Sequence, residues 1–368
     1  MLFSYGSVVT GNLFYDRKEM QKSVEDFVEA KQAFMLKAPR RFGKTSLIKH
    51  VLEKKEIDYF YIDFRKTPRL ELFNNHLLEY IYKQAGVKGT LLQIKENVMS
   101  FLRANKTTLK INLELFEASV ELFQKEGPSD CERMADILDL AEQFAKDLDV
   151  TFYIVLDEFQ DIKKLHTNSN EDILEMMRGA MQQHKNICYS FLGSNMTIMT
   201  EIFENSKSGF YNFCRKLKLE SFDINEIIPE IKKAFKKIEV AFDKENDLKN
   251  VLIRLKGHPA NTIMVMQNLE FQVKSDSIIL IKQEHINKAY HNAVGEMNDL
   301  ISEYIKEIKT KEHLHDVIYR MANNEEQILE PSPKQQKYKL LEKMGYITKV
   351  ATGRYEIIDG FLEEDLRS

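Results

Sequence analysis

The 368-residue chain has little cysteine and no long apolar run. Its cysteines, Cys131, Cys188 and Cys214, are odd in number and scattered, which argues against a disulfide framework and for a reducing compartment. No apolar run approaches the roughly 18 residues of a membrane-spanning helix. Residues 1–11 lack the basic start and apolar centre of a secretory signal. We therefore expect a cytoplasmic protein with no membrane partner.

The chain also lacks an excess of basic charge. Lys and Arg number 53 against 57 Asp and Glu, for a net charge of −4, so any nucleic-acid-binding surface must be local. The 43% apolar and 30% charged residues are typical of a soluble globular protein. The length predicts two or three domains.

A short apolar run at residues 34–36 leads into a loop typical of phosphate binding. Gly43 lets the backbone curl around a polyphosphate, Lys44 can reach the β- and γ-phosphates, and Thr45 can bind Mg²⁺ through its hydroxyl. A helix predicted over residues 44–55 points its positive end at the same charge. Ala38 stands where the usual pattern has Gly, which leaves the loop slightly less free. The alternative is an ordinary basic turn between a strand and a helix.

An acidic pair follows a second apolar run. Residues 150–156 are almost all apolar or β-branched, as in a strand buried on both faces of a parallel sheet. The pair Asp157 and Glu158 comes next, where open α/β sheets place their ligand chemistry. Asp157 would hold Mg²⁺, and Glu158 would polarise the water that attacks the γ-phosphate. The alternative is that both residues cap the next helix.

The remaining pattern predicts a parallel α/β fold. Strands are expected at 34–36, 59–64, 150–156, 187–192 and 217–222, with helical stretches between them. Asp16 and Glu19 are expected to form a capping box for the first helix, which ends near residue 31. Residues 68–148 read as mostly helical, with breaks near 86–89, 104–107 and 127–128.

The C-terminal part predicts two smaller units. Helices are expected at 224–240, 247–256, 260–274 and 285–309, followed by a helix at 332–344 and strands at 346–350 and 354–358. The last three elements predict the end of a winged helix-turn-helix. The expected domains are a P-loop core at 1–223, a helical lid at 224–295 and a winged-helix-like domain at 296–368.

Taken together, these motifs resemble the archaeal-type P-loop ATPases of the AAA+ superfamily, close to the signalling (STAND) NTPases. The matching stretches are the N-terminal box at 14–19, the phosphate loop at 39–46, the acidic motif at 157–160, the fourth-strand sensor at 193–195, the lid turn at 257–259 and the end of the winged helix at 355–361. The resemblance implies a five-stranded parallel sheet in the order 5-1-4-3-2, a helical lid, a winged helix, and ATP with Mg²⁺. It also implies that the nucleotide is bound by Phe14, Ala38, Pro39, Arg40, Arg41, Phe42, Gly43, Lys44, Thr45, Ser46 and Pro259.

Several other residues have two possible roles each. Ser194 or Asn195 could orient the attacking water or sense the γ-phosphate, with Asn195 marginally favoured by the resemblance, or could simply form a turn. Arg215 could reach a neighbouring subunit's γ-phosphate in a homo-oligomer, or be an ordinary surface residue. Arg40 and Arg41 could touch phosphate, but a structural ion pair is favoured because Lys44 already supplies charge there.

The expected function is Mg²⁺-dependent ATP hydrolysis that drives a switch or remodeller. Residues 331–354 hold six basic residues against one acidic residue, so the winged helix could bind duplex DNA. The alternative is a nucleotide-gated scaffold that binds a protein partner with little turnover.

Overall fold

The computed structural model describes residues 1–15, 17–84, 86, 128–168, 170–311, 313–327 and 331–368. Asp16 of the expected capping box and most of the helix breaks predicted between residues 86 and 128 lie outside the described residues.

A five-stranded parallel sheet forms the centre of the first part, as predicted. Its spatial order is β2-β3-β4-β1-β5, the order that the resemblance implied. The strands are β1 (Phe34–Lys37), β2 (Tyr59–Asp63), β3 (Phe152–Asp157), β4 (Ile187–Gly193) and β5 (Arg215–Lys218). The register pairs Lys37 with Gly193 and Asp63 with Asp157, so the carboxyl ends of four strands share one edge.

Helices cover both faces of this sheet. They are α1 (Lys18–Glu29), α2 (Lys44–Lys54), α3 (Leu70–Gln84), α4 (Asp130–Asp147), α5 (Ile173–Met181) and α6 (Met196–Phe203), with a 3-10 helix at Phe159–Lys164. One apolar core joins α3, α4 and α5 to the sheet, and another joins α1 and α2. All seven residues of β4 are buried, which explains the continuous apolar run in its sequence.

The fifth strand differs from its prediction at 217–222. The observed β5 begins at Arg215 and ends at Lys218, because its partner β1 is only four residues long. The apolar residues that suggested a later strand serve other purposes: Leu219 is buried under α1 and α2, and Phe222 enters the second core. The apolar character of Leu219 and Phe222 therefore reflects burial in these cores and not strand formation.

The second part is helical, with short strands. Its helices are α7 (Ile224–Lys236), α8 (Glu245–Arg254), α9 (Pro259–Ser275), α10 (Gln283–Lys309), α11 (Leu314–Ala322), α12 (Pro331–Met344) and α13 (Gly360–Arg367). Its strands are β6 (Ala241–Phe242), β7 (Leu280–Ile281), β8 (Ile347–Ala351) and β9 (Arg354–Ile357). One continuous apolar core runs through this part and includes Phe3 and Tyr15. The 27-residue α10 passes through position 295, where the domain boundary was expected.

The C-terminal elements pack back onto the sheet part. Helix α12 contacts α6, and Ile358 joins the apolar core beside the phosphate loop. The C-terminal elements therefore form one wall of the edge where the functional motifs meet.

Gly360 marks a close approach between α13 and the end of α8. A Cβ at this position would lie 2.3 Å from the Arg254 carbonyl oxygen, which is backbone and cannot rotate away. We expect Gly360→Ala to lower the free energy of unfolding by about 1–3 kcal/mol, measured by urea denaturation.

Gly295→Ala is the matched control, because this glycine lies inside α10 and an added Cβ would meet no atom within 4 Å. Alanine should there stabilise the helix by up to about 1 kcal/mol. Equal effects of the two substitutions would contradict the close contact at Gly360.

Candidate active site

The predicted loop connects β1 to α2 at the carboxyl edge of the sheet. Gly43 has φ +85° and precedes the first residue of α2, and Arg41 also has a positive φ of 66°. The turn therefore needs the left-handed conformation that glycine adopts without strain. Ala38 and Pro39 are buried, so the start of the loop is fixed against the core.

Lys44 lies under this loop with only 6% of its surface exposed. Its Nζ donates to the carbonyl oxygens of Ala38 at 3.1 Å and Pro39 at 3.3 Å. Burial lowers the pKa of Lys44, and the negative charges of Glu158 and Asp157 oppose that shift. A cation buried beside backbone N–H groups at a helix start fits a polyphosphate.

The two oxygens predicted to bind Mg²⁺ lie together. Thr45 Oγ1 donates to Asp157 Oδ2 at 2.6 Å, and Asp157 is 4% exposed. A hydroxyl and a carboxylate are hard oxygen donors of the kind that Mg²⁺ accepts, so the donor set fits this ion. The Tyr61 hydroxyl also donates to Asp157 Oδ2, at 2.8 Å. Sequence reasoning missed Tyr61, although its alternation with Tyr59 and Asp63 along β2 was a usable signal.

Glu158 follows β3 in a left-handed conformation, with φ +50°. Its Oε2 accepts hydrogen bonds from Ser194 Oγ at 2.6 Å, from Arg65 Nη2 at 2.8 Å and from Gln160 Nε2. Burial raises the pKa of Glu158, but the Lys44 charge and these three donors outweigh burial, so the net shift is downward. The carboxylate is thus ionised, and the three donors hold it beside the nucleotide loop. Sequence reasoning did not identify Arg65 or Gln160.

Arg65 should set part of the pH dependence of any reaction that uses Glu158. Its guanidinium also pairs with Asp161 at 3.3 Å. Because Arg65 is one of the groups that lower the pKa of Glu158, Arg65→Gln should raise that pKa. The acid limb of the rate profile, which lies below the ordinary Glu pKa because the shift is downward, should then move to higher pH. Hydrolysis rates over roughly pH 3 to 7 would reveal this movement.

Arg69→Gln is the control for this substitution, because Arg69 is 57% exposed and its guanidinium pairs with Glu71 at 3.5 Å. An unchanged acid limb in Arg65→Gln would contradict the proposed influence of Arg65 on Glu158.

The two sensor residues have different surroundings. The Ser194 hydroxyl contacts Glu158 directly, whereas Asn195 Oδ1 accepts from the Ile198 N–H at 3.0 Å and caps α6. Both side chains line a cleft beside the loop. The marginal preference for Asn195 over Ser194 stays a prediction.

A cleft of about 370 Å³ extends from the loop toward the N-terminal segment. Residues 4–9 form one wall, and Phe14, Phe222, Pro259 and Ile263 add apolar surface. Phe14 stacks on His50 with ring centroids 4.4 Å apart. Ser46 Oγ accepts from the Val9 N–H at 3.2 Å, which ties the N-terminal segment to α2. The wall at 4–9 was not predicted, because nothing in its sequence resembles a binding motif.

The loop arginines differ in their contacts. Arg41 donates to the Tyr5 hydroxyl, and its guanidinium lies over the Tyr5 ring at 5.4 Å. Arg40 is exposed. Neither arginine forms an ion pair with an acidic residue in the described part of the chain, so the favoured structural ion pair is not found there.

Phe42 of the loop packs against His258 at the start of α9. Their rings meet edge to face at 4.9 Å. Burial lowers the pKa of His258 to about 4, so this imidazole is neutral near pH 7. Its Nδ1 accepts from the Asn261 N–H, which caps the start of α9 at Pro259.

Arg215 lies away from these groups. It is the first residue of β5, is exposed and pairs in register with Phe34, at the edge of the sheet opposite the loop. Its role as a finger stays a prediction that requires a second chain.

Comparison with known proteins identifies the family of this chain. The profile of an ATPase domain found predominantly in Archaea matches residues 14–265, so the chain belongs to this family of P-loop ATPase domains. Among solved structures, the Walker-type ATPase PABY2304 of Pyrococcus abyssi is similar over 100% of both chains, with 16% identity and a TM-score of 0.68. The ORC2 protein of Aeropyrum pernix, in ADPNP-ADP complexes, is similar over 100% of this chain and 96% of its own, with 11% identity and a TM-score of 0.58. At these identities the similarity shows a shared fold.

No curated protein matches the chain. Within the described residues, no helix is both long and apolar enough to cross a bilayer.

Proposed function

We propose that this protein binds ATP with Mg²⁺ and hydrolyses it to ADP and phosphate. The observation that carries the proposal is the contact of Thr45 Oγ1 with Asp157 Oδ2 at 2.6 Å, directly beside the buried Lys44. These groups come from two motifs more than a hundred residues apart and would serve one triphosphate. The nucleotide complexes of the Aeropyrum ORC2 structure lend support through the shared fold.

Each residue has one role in this proposal. Lys44 and the amides of the loop bind phosphate oxygens, and Thr45 and Asp157 hold Mg²⁺, which would neutralise phosphate charge. Glu158 accepts the proton of the attacking water. The bond from the water oxygen to the γ-phosphorus forms as the bond from phosphorus to the β,γ-bridging oxygen breaks. Catalysis comes mostly from placement and charge stabilisation.

Isothermal titration calorimetry with ATP, in the presence and absence of magnesium, tests the binding step. Saturable heat that strengthens with magnesium supports the proposal, and no heat with either ATP or GTP would defeat it. Phosphate release measured on the same preparation tests hydrolysis separately.

We propose further that ATP drives a switch or remodeller that acts on duplex DNA through residues 296–368. The order of α12, β8 and β9 is that of a winged helix, and Lys339, Lys349 and Arg354 are exposed on it. Duplex affinity that falls steeply with salt would support this role, because phosphate contacts release counterions. Absence of duplex binding at low salt would exclude it. We also propose a cytoplasmic location. We propose further that the protein forms a homo-oligomer in which Arg215 contacts a neighbouring subunit.

A nucleotide-gated scaffold with a protein partner is the second candidate. It is favoured by the three donors that restrain the Glu158 carboxylate, since a restrained base would slow turnover. Single-turnover phosphate release that stays slow at saturating ATP would favour the scaffold over the remodeller.

A further inference from the structure

A second cleft adjoins the nucleotide cleft along the phosphate loop. Its volume is about 300 Å³, and its walls come from the loop, the ends of β3 and β4, and the turn between α12 and β8. Five basic residues line it, against three acidic ones; the basic residues are Arg40, Arg41, Arg65, Lys164 and Lys343. The sheet part and the C-terminal elements therefore share a basic cavity.

The acidic residues of this second cleft already have donors. Asp161 pairs with Arg65 at 3.3 Å, Glu307 accepts from the Tyr346 hydroxyl at 2.6 Å, and Asp359 accepts from Asn261 Nδ2 at 2.8 Å. These contacts hold the three carboxylates in place, and the five basic residues of the cavity still outnumber them by two.

Three basic groups of the cleft have no acidic partner within the described residues. Arg40 and Lys343 are exposed and form no ion pair with any residue in the described ranges. Arg41 Nη1 is buried with no hydrogen-bond partner there, although the other nitrogen contacts Tyr5. A buried N–H donor without an acceptor is costly, so an anion would be stabilised at this point. Two guanidinium groups and an ammonium suit the oxygens of a phosphate.

Glu158 lies between the two clefts. It lines the nucleotide cleft, whereas the three residues that donate to it, Arg65, Gln160 and Ser194, line the second one. In an in-line displacement, the phosphorus moves away from ADP and toward the attacking water. The product phosphate therefore leaves on the side of Glu158, toward the second cleft.

We propose that the second cleft binds the orthophosphate product after hydrolysis, through Arg40, Arg41 and Lys343. This rests on the proposed ATP hydrolysis. Arg40 belongs to the loop and Lys343 to α12, so a bound phosphate links the catalytic loop to the C-terminal elements. Its departure removes that link, which ties phosphate release to the position of α12.

Titration calorimetry with inorganic phosphate tests the proposal on the full chain, both with saturating Mg-ADP and without nucleotide. With Mg-ADP present, phosphate should still bind, because Arg40 and Lys343 line the second cleft and not the nucleotide cleft. Lys343→Ala should weaken this binding about tenfold, the effect of one charge-assisted contact. Lys343→Arg should restore it. Lys339→Ala is the matched control, since Lys339 is exposed on α12 but does not line the cleft.

The outcomes separate the two proposals. Phosphate affinity that does not change in Lys343→Ala, with or without nucleotide, would overturn the phosphate site and assign any binding to the loop around Lys44. No phosphate binding beside Mg-ADP would overturn it as well. Failure of Mg-ADP itself to bind would instead count against the proposed function, while the nucleotide-free titration of Lys343→Ala would still decide the second cleft.

Discussion

Lys44→Ala should weaken binding of Mg-ATP by about 10- to 100-fold, the equivalent of roughly 1.5–3 kcal/mol for a lost charge-assisted hydrogen bond. The ammonium is buried at the start of α2, and no other lysine lines the nucleotide cleft among the described residues. Calorimetry of the variant with ATP and magnesium provides the measurement.

Two further variants make this result specific. Lys44→Met keeps most of the buried volume and should lose the same affinity, which separates charge from packing. Lys54→Ala removes an exposed lysine from the same helix, where it pairs with Glu25 at 2.8 Å, and should bind ATP as the parent does. Parental affinity in both Lys44 variants would remove the loop from the site.

Glu158→Gln should retain ATP binding and slow phosphate release by about 100-fold or more, the usual contribution of a general base. Glutamine has nearly the same shape and keeps an acceptor for Ser194 and Arg65, but it cannot take a proton from water. Equilibrium binding and single-turnover phosphate release on the same preparation would separate the two effects.

Asp161→Asn is the control for charge removal at this site. Asp161 is also a buried partner of Arg65, but it lies outside the nucleotide cleft. Its loss should change phosphate release far less than loss of Glu158. Parental turnover in Glu158→Gln would remove that residue from its assigned role, and equal losses in both variants would attribute the effect to charge around Arg65.

The sheet was predictable because its strands carry a strong local signal. Buried parallel strands are apolar on both faces, so β3 and β4 stand out as continuous runs. The edge strand β5 was misplaced because it is polar, and the apolar residues beyond it pack into other cores. An edge strand forms through backbone hydrogen bonds to its partner strand, and its own side-chain sequence does not predict this pairing.

The sequence predicted the motif residues of the candidate site but not the side chains that contact them. Gly43, Lys44, Thr45, Asp157 and Glu158 follow recognisable strands, and parallel strands bring their ends to one edge. Residues that reach the same edge from elsewhere have no such pattern. Examples are Arg65, which donates to Glu158, and residues 4–9, which form a wall of the nucleotide cleft.

The amino-acid sequence by itself determined which chemical groups lie at the carboxyl ends of the buried strands. A glycine turn, a lysine and a hydroxyl follow β1, and an acidic pair lies at the end of β3. Only the tertiary structure decided that Glu158 is held by Arg65, Gln160 and Ser194, and that α12 closes a basic cavity behind it. The physical reason is the separation along the sequence of the residues that interact. Backbone conformation and strand burial follow from neighbouring residues, whereas hydrogen bonds and ion pairs between distant segments depend on how the whole chain packs.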